Sequence, residues 1–256
     1  MNKTVLLCIL GLVFCHSIKA TPYDHIHLAA PDPQQAAEWY VKHFGGAAAG
    51  FRGATGEGVA IDRVMYGGIA VVFSRREPSE GSAGSGVDHI GFSMANIAER
   101  VAGIRADGGA SLGDLRAFRD MTIGFVEDPW GTKIELIDDP ALRGLHHIHL
   151  SSPDPEATLE WYANAFGGER ERFADALAGV NYGNISLLAS RSREEVAPTQ
   201  GRSLDHLGWS FADLDMAATE LKNKGVNFST EPRDFRGIRI SFVEGPDGVR
   251  IEVVQP

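Results

Sequence analysis

The sequence predicts an α+β protein assembled from four βαβββ modules arranged as two tandem halves, and three observations carry that expectation. The chain repeats itself: His25-Ile26-His27-Leu28, Pro31-Asp32-Pro33 and Glu38-Trp39-Tyr40 recur as His147-Ile148-His149-Leu150, Pro153-Asp154-Pro155 and Glu160-Trp161-Tyr162. Asp88-His89-Ile90-Gly91 returns as Asp205-His206-Leu207-Gly208, and Phe125-Val126-Glu127 returns as Phe242-Val243-Glu244. Each half also contains a weaker repeat, in which an alternating strand leads to a short helix and then to further strands.

Taken in order, residues 23–30 alternate as a strand. Asp32 then caps a helix with Pro33 in its first turn, Ala36, Tyr40 and Phe44 share one face, and Gly45 ends it. Strands follow near 59–66 and 69–74. After the Gly/Ser-rich stretch Ser79–Gly86, a strand over 87–94 precedes a helix near 96–107 that stops at Gly108-Gly109, and strands follow near 121–127 and 132–138. The joint between halves falls near Pro140–Gly144, and Glu194–Arg202 connects the last two modules. The expected domains are therefore 21–140 (modules 21–78 and 87–140) and 145–256 (modules 145–193 and 203–256).

Residues 1–20 read as a secretory signal. Lys3 supplies the positive start, Val5–Cys15 the apolar run and Ala20 a small residue for cleavage. The run is shorter than the ~20 residues a membrane anchor needs. An exported protein, periplasmic or secreted, is expected, with no membrane association after cleavage. Cys8 and Cys15 both lie in this segment, so the mature chain has no disulfide, thiolate metal site or cysteine nucleophile. Loss of Lys3 and Lys19 takes the formal charge from −10 to −12. That balance, without any basic run, argues against a nucleic-acid partner and for a small-molecule one.

Outside the signal segment, every histidine but His43 sits at the start of a predicted first strand: His25, His27, His89, His146, His147, His149 and His206. Side chains alternate between the faces of a strand. Ile90, Phe92 and Met94 claim the helix side of their strand and leave His89 and Gly91 opposite; Leu207, Trp209 and Phe211 do the same for His206 and Gly208. Ile26 and Leu28 leave His25 and His27 on the other face. In the last strand of each half, Ile134 and Leu136 expose Glu135, and Ile251 and Val253 expose Glu252. Two imidazoles and a carboxylate on one sheet face form a set that suits Fe(II), Mn(II), Zn or a similar ion, with open positions for substrate.

These motifs resemble the vicinal oxygen chelate superfamily, which includes glyoxalase I, extradiol dioxygenases, fosfomycin-resistance enzymes and bleomycin-resistance proteins. The resemblance spans the whole mature chain and includes the seven-residue spacing from His25 to Asp32 and from His147 to Asp154. It implies that paired modules curl into a cup around a divalent ion (Fe, Mn, Zn or Ni). His25, His89 and Glu135 would bind one ion, and His147, His206 and Glu252 a second. It further implies an enzyme acting on a small substrate chelated through vicinal oxygens, by glyoxalase-like lyase/isomerase or extradiol-type dioxygenase chemistry. The alternative is a sequestering protein of the bleomycin-resistance type without catalysis. Glyoxalase I resembles this pattern but carries a further ligand on a fourth strand, where alignment places Val71 and Leu187 here; a three-ligand site is closer to the dioxygenases and fosfomycin-resistance enzymes.

His27 and His149 are the candidates for proton transfer. Asp24 and His146 read as edge residues without a role, and His43 as a solvated helix position. Trp39, Tyr40, Trp161 and Tyr162 read as packing. Arg75, Arg76, Arg191 and Arg193 follow the fourth strands near an expected cup rim, and Arg119 and Arg236 stand where they would close the cup mouth. Four modules complete two cups as a monomer or a homodimer.

Overall fold

The computed structural model describes residues 21–256, and the expected signal segment lies outside the described residues. The first module comprises β1 (Tyr23–Ala30), α1 (Pro33–Phe44), β2 (Ala47–Ala49), β3 (Arg63–Tyr66) and β4 (Ile69–Arg75). The second comprises β5 (Val87–Ser93), α2 (Ile97–Ala106), β6 (Ala110–Ser111), β7 (Arg116–Phe118), β8 (Met121–Glu127) and β9 (Lys133–Ile137). The third holds β10 (Gly144–Ser152), α3 (Pro155–Phe166), β11 (Glu169–Phe173), β12 (Leu177–Asn181) and β13 (Ser186–Arg191). The fourth holds β14 (Leu204–Ser210), α4 (Leu214–Asn223), β15 (Asn227–Phe235), β16 (Ile238–Glu244) and β17 (Arg250–Gln255). Asp32 caps α1 by accepting from the Gln34 and Gln35 amides, and Gly45 ends it at φ 73°. No helix of the described residues is long and apolar enough to cross a membrane.

The sheets cross the halves. An eight-stranded sheet runs β15-β16-β17-β14-β1-β4-β3-β2 and joins module four to module one; the other sheet, β11-β12-β13-β10-β5-β9-β8-β6, joins module three to module two. The connection from β9 to β10 explains the choice. Its few residues, 138–143, span at most ~20 Å, so β10 must start close to where β9 ends and pairs with β5 beside it. Modules one and four are left to pair through β1 and β14.

Within each half the modules meet through their helix sides instead. Phe44 of α1 stacks on Phe92 of β5 at 4.3 Å between ring centroids, and Phe166 of α3 stacks on Trp209 of β14 at 4.3 Å. Tyr40 reaches across to Asp128, its hydroxyl donating to Oδ2 at 2.8 Å. Tyr40 and Tyr162 are fully buried, and Trp39 and Trp161 pack on the same apolar cluster, which runs through all four modules. His43 is not a solvated position: it is buried against the Trp39 ring, with Nε2 2.9 Å from Asp107 Oδ2. The α1–α2 approach covers it, whereas in the third module Ala165 fills the equivalent place without a polar partner.

Candidate metal centres and the second cup

Every first strand carries a β-bulge at the residue before its leading site histidine. Opposite β14, Tyr23 pairs with Trp209 and His25 with Gly208, leaving Asp24 as the extra residue; opposite β1, His27 pairs with His206 and Leu28 with Leu204, leaving Asp205. His146 is the extra residue on β10 and Asp88 the one on β5. A bulge sets two successive side chains on one face. The sequence shows the same thing as two polar residues between apolar core positions: Tyr23 and Ile26, Val87 and Ile90, Leu145 and Ile148, Leu204 and Leu207 are all buried in the core.

The bulge residue therefore reaches the histidine that follows it. Asp24 Oδ1 accepts from His25 Nδ1 at 2.7 Å and Asp88 Oδ1 from His89 Nδ1 at 2.6 Å, while Asp205 holds His206 Nδ1 in the same way. His147 Nδ1 lies 2.8 Å from His146 Nδ1. Asp24 and His146, read from the sequence as edge residues, thus orient site histidines. Arg76, read as a rim residue, braces Asp205 at 2.6 Å together with Arg250 at 2.9 Å; Arg75 and Arg191 turn to the carbonyls of Pro31 and Pro153.

The six expected ligand residues come together in two clusters, but across the halves rather than within them. His25, His27, His206 and Glu252 form one, and His89, Glu135, His147 and His149 the other, each with donor atoms within 4.8 Å of one another. The regrouping follows from the sheet pairing of modules one with four and two with three. In the first cup, Glu252 Oε2 lies 3.0 Å from His25 Nε2 and 3.1 Å from His206 Nε2. In the second cup, Glu135 Oε2 lies 3.0 Å from His89 Nε2 and 3.5 Å from His147 Nε2.

This arrangement fits a divalent cation. With Nδ1–H of His25, His89 and His206 committed to carboxylates, the neutral rings turn Nε2 lone pairs toward a glutamate oxygen, and only a proton or a cation makes that approach favourable. Nε2 of His25 and of His147 are buried and, among the described residues, lack a partner in hydrogen-bonding geometry. Gly91 and Gly208 leave the room the rings occupy: a β-carbon at either would fall against the His147 or His25 ring. The nitrogen–carboxylate set is one that Fe, Mn, Zn or Ni accepts.

The two cups differ electrostatically. Burial opposes charging His25, but Asp24 and Glu252 outweigh it and push the ring up to about 9. The equivalent His147 is brought down to about 4 by burial, against the pull of Glu135 and helped by repulsion from His89 and His146. Burial opposes ionisation of Glu135 and Glu252 as well, yet their histidine partners hold both well below the usual carboxylate range. Burial, followed by the neighbouring rings, keeps His27 and His149 neutral.

His27 Nε2 is 2.7 Å from Ser74 Oγ and its Nδ1 is 2.9 Å from His206 Nε2. His149 Nε2 is 3.0 Å from Ser190 Oγ, its ring stacks on His89 at 4.5 Å, and its buried Nδ1 has no partner among the described residues. The extra-ligand position is one residue on from where alignment placed it. Val71 and Leu187 face the helices; strand register puts Val72 beside His27 and Leu188 beside His149. Neither is a metal ligand.

A cavity of about 310 Å³ opens on the second cup, lined by His89, Glu135, His147, His149, Leu188 and Ser190 below and by Arg116, Phe118, Phe173 and Leu177 toward the mouth. Phe118 and Phe173 lie nearly parallel across it, 6.3 Å apart. Arg119 spans this mouth, donating to the Asp175 carbonyl at 3.4 Å; Arg236 instead lies over the Phe235 ring. The histidine motifs and strand alternation do not mark the hairpin residues Phe118, Phe173 and Leu177, although the sequence carries a signal for the first of them: Arg116-Ala117-Phe118-Arg119 recurs as Arg233-Asp234-Phe235-Arg236.

Known proteins share this architecture. Glyoxalase I from Zea mays superposes with a TM-score of 0.69 at 18% identity over 92% of both chains, and its V278E mutant with 0.70 at 18% over 92% of both. A putative dioxygenase from Bacillus subtilis gives 0.63 at 15% identity, over 92% of this chain and 85% of its own. In sequence, a probable chloroplastic lactoylglutathione lyase of Arabidopsis thaliana is 26% identical over 181 residues, 64% of this chain and 51% of the relative, so the chain spans about half the length of the curated relative it matches. The family model for the Glyoxalase/Bleomycin resistance protein/Dioxygenase superfamily matches residues 23–136 and 144–253, and the chain belongs to that superfamily.

Proposed function

We propose that the protein is a divalent-metal-dependent enzyme whose reaction runs in the second cup, on a small substrate that binds through two neighbouring oxygens. The observation that carries this reading is the convergence of His89, His147 and Glu135 on the floor of the cavity, with His149 beside them. A divalent ion held by those three residues supplies Lewis-acid polarisation of substrate oxygens when bound. Asp88 and His146 fix the ring orientation of His89 and His147. With Nε2–H donated to Ser190, His149 carries an unpartnered lone pair at Nδ1 and accepts a proton there from substrate in the cavity. Phe118, Phe173 and Leu177 favour an apolar or aromatic portion, and the exposed Arg116 favours an anionic group near the mouth.

Proton transfer by His149 fits lyase/isomerase chemistry, in keeping with the lyase name of the Arabidopsis relative. Val72 and Leu188, which leave two histidines and one carboxylate as ligands, favour a second reading, ring-cleaving dioxygenase. Metal-reconstituted protein assayed with lactoylglutathione, and separately with catechol under dioxygen, distinguishes the two. His149→Gln is expected to keep its metal and lose about 10²–10⁴-fold in kcat, the range for a general base. Loss of metal together with activity would remove His149 from the proton-transfer role, and failure to take up Zn, Mn, Ni or Fe(II) would overturn the enzyme reading.

We also propose export, supported by Lys3, the apolar Val5–Cys15 run and Ala20. Intact-mass analysis of protein from the periplasm or medium is expected to give a chain starting at Thr21. A full-length mass confined to the cytoplasm would refute it.

A further inference from the structure

We propose that His146 and Asp139 form a positioning relay behind His147 that makes the second cup the weaker of two unequal metal sites, so that one chain holds a tightly bound ion in the first cup and a more labile, more electrophilic one in the second. The inference rests on the metal-binding reading above and goes beyond it.

Three of the four bulge residues are aspartates, and three of the four site histidines behind Glu135 and Glu252 therefore donate Nδ1–H directly to a carboxylate. His206 and His89 share the same kind of backing, an aspartate that basic side chains reach in turn, Arg250 and Arg76 at Asp205 and Lys133 at Asp88. The difference in the kind of partner lies at the other pair of equivalent ligands. His25 is backed by Asp24, whose only charged partner among the described residues is His25 itself. His147 is backed by an imidazole instead of a carboxylate.

For His147 to offer a lone pair at Nε2, its Nδ1–H must donate to His146 Nδ1, which then requires His146 Nε2–H; that proton points to Asp139 Oδ2 at 3.3 Å. Asp139 is itself anchored, accepting from the Ala141 amide at Oδ1 (2.8 Å) and from Ser93 Oγ at its carbonyl (2.7 Å). Both rings are buried. The carboxylate charge thus reaches His147 only through an intervening imidazole. A direct histidine–carboxylate bond is roughly twice as strong as a neutral one and raises the basicity of the ligand, and such outer partners change metal affinity ~10–100-fold. His147 is therefore the weaker donor of the equivalent pair, and an ion it holds keeps more of its own charge for substrate. The relay also touches the cavity wall, because Phe173 packs edge-on against His146 at 5.1 Å.

Competition of metal-free full-length protein against a chromophoric chelator for Zn(II) tests this. Wild type is expected to bind two equivalents with dissociation constants at least ~10-fold apart. Glu135→Gln should remove the weaker and Glu252→Gln the tighter. Asp139→Asn should weaken only the second-cup site by a further ~10-fold or more. The double variant His146→Asp/Asp139→Asn, which restores the direct carboxylate without a second buried charge, should bring the two constants together. If the double variant fails to fold, Asp139→Asn alone decides. Two indistinguishable sites in wild type, a tighter second cup, or an Asp139→Asn protein with unchanged affinities would overturn the relay while leaving metal binding intact; no zinc at either site would overturn the metal reading along with it.

Discussion

Glu135→Gln is expected to abolish turnover, by ~10³-fold or more, and to remove one of two metal equivalents. Among the described residues the carboxylate is the one anionic member of the second-cup cluster, and its two histidine neighbours hold it ionised against the cost of burial. Gln keeps the shape and removes the charge, so a divalent ion loses its one anionic ligand in a site that excludes most solvent. Lewis-acid stabilisation is worth several kcal/mol, and ~4 kcal/mol corresponds to ~10³-fold in rate. Elemental analysis beside steady-state kinetics checks both halves of the expectation. The decisive comparison is Glu252→Gln, which makes the same change in the first cup. If Glu252→Gln destroys turnover while Glu135→Gln spares it, the reaction lies in the other cup and the cavity over His149 is not its site.

The sequence exposes the fold because two periodicities agree. Period-two apolar patterns place Ile26, Ile90, Ile148 and Leu207 on the helix side, and all are buried there. The same alternation isolates the six ligand candidates on the opposite face. The pairing of modules is not legible in that way: strand alternation says which face a residue takes but not which edge strand will meet it. Only the short connection at 138–143 hints that modules two and three share a sheet, and the ligand sets then regroup across the halves. The roles of Asp24, Asp88, His146 and Asp205 were hidden for a related reason. Strict alternation sends a residue next to a site histidine to the other face, and a bulge breaks that rule. The spacing of core residues, with two polar positions instead of one between Tyr23 and Ile26, carries the bulge signal. The off-by-one placement of Val71 and Leu187 also came from sequence alignment without strand register. Their neighbours Val72 and Leu188 are apolar too, so the absence of a carboxylate at that position survives the correction.

Gly91→Ala should be the next most damaging change after loss of the carboxylate, although alanine adds only one carbon and no charge. Gly91 faces His147 across the β5–β10 ladder, and its new β-carbon would lie 2.6 Å from Nε2 and closer still to Cε1 and Nδ1 of the ring. The backbone there is ordinary extended strand, so the substitution brings no conformational strain of its own. His147 cannot step aside cheaply, being held by His146 on one side and packed against His89 and His149 on the other. The ring must rotate off its rotamer or the strands must part, and overpacking of this kind costs typically ~1–3 kcal/mol. The expected outcome is a folded protein whose second-cup zinc affinity falls by at least ~10-fold, with turnover falling alongside it. Gly208→Ala, which meets His25 in the same way at 2.5 Å from Nε2, should damage the first-cup site instead. Chelator competition on the two variants reads this directly. A Gly91→Ala protein with two unchanged zinc sites would mean that His147 is not held where the ion binds. A protein that loses both sites at once would mean that the cups are coupled through the core that modules one and two share around Phe44 and Phe92.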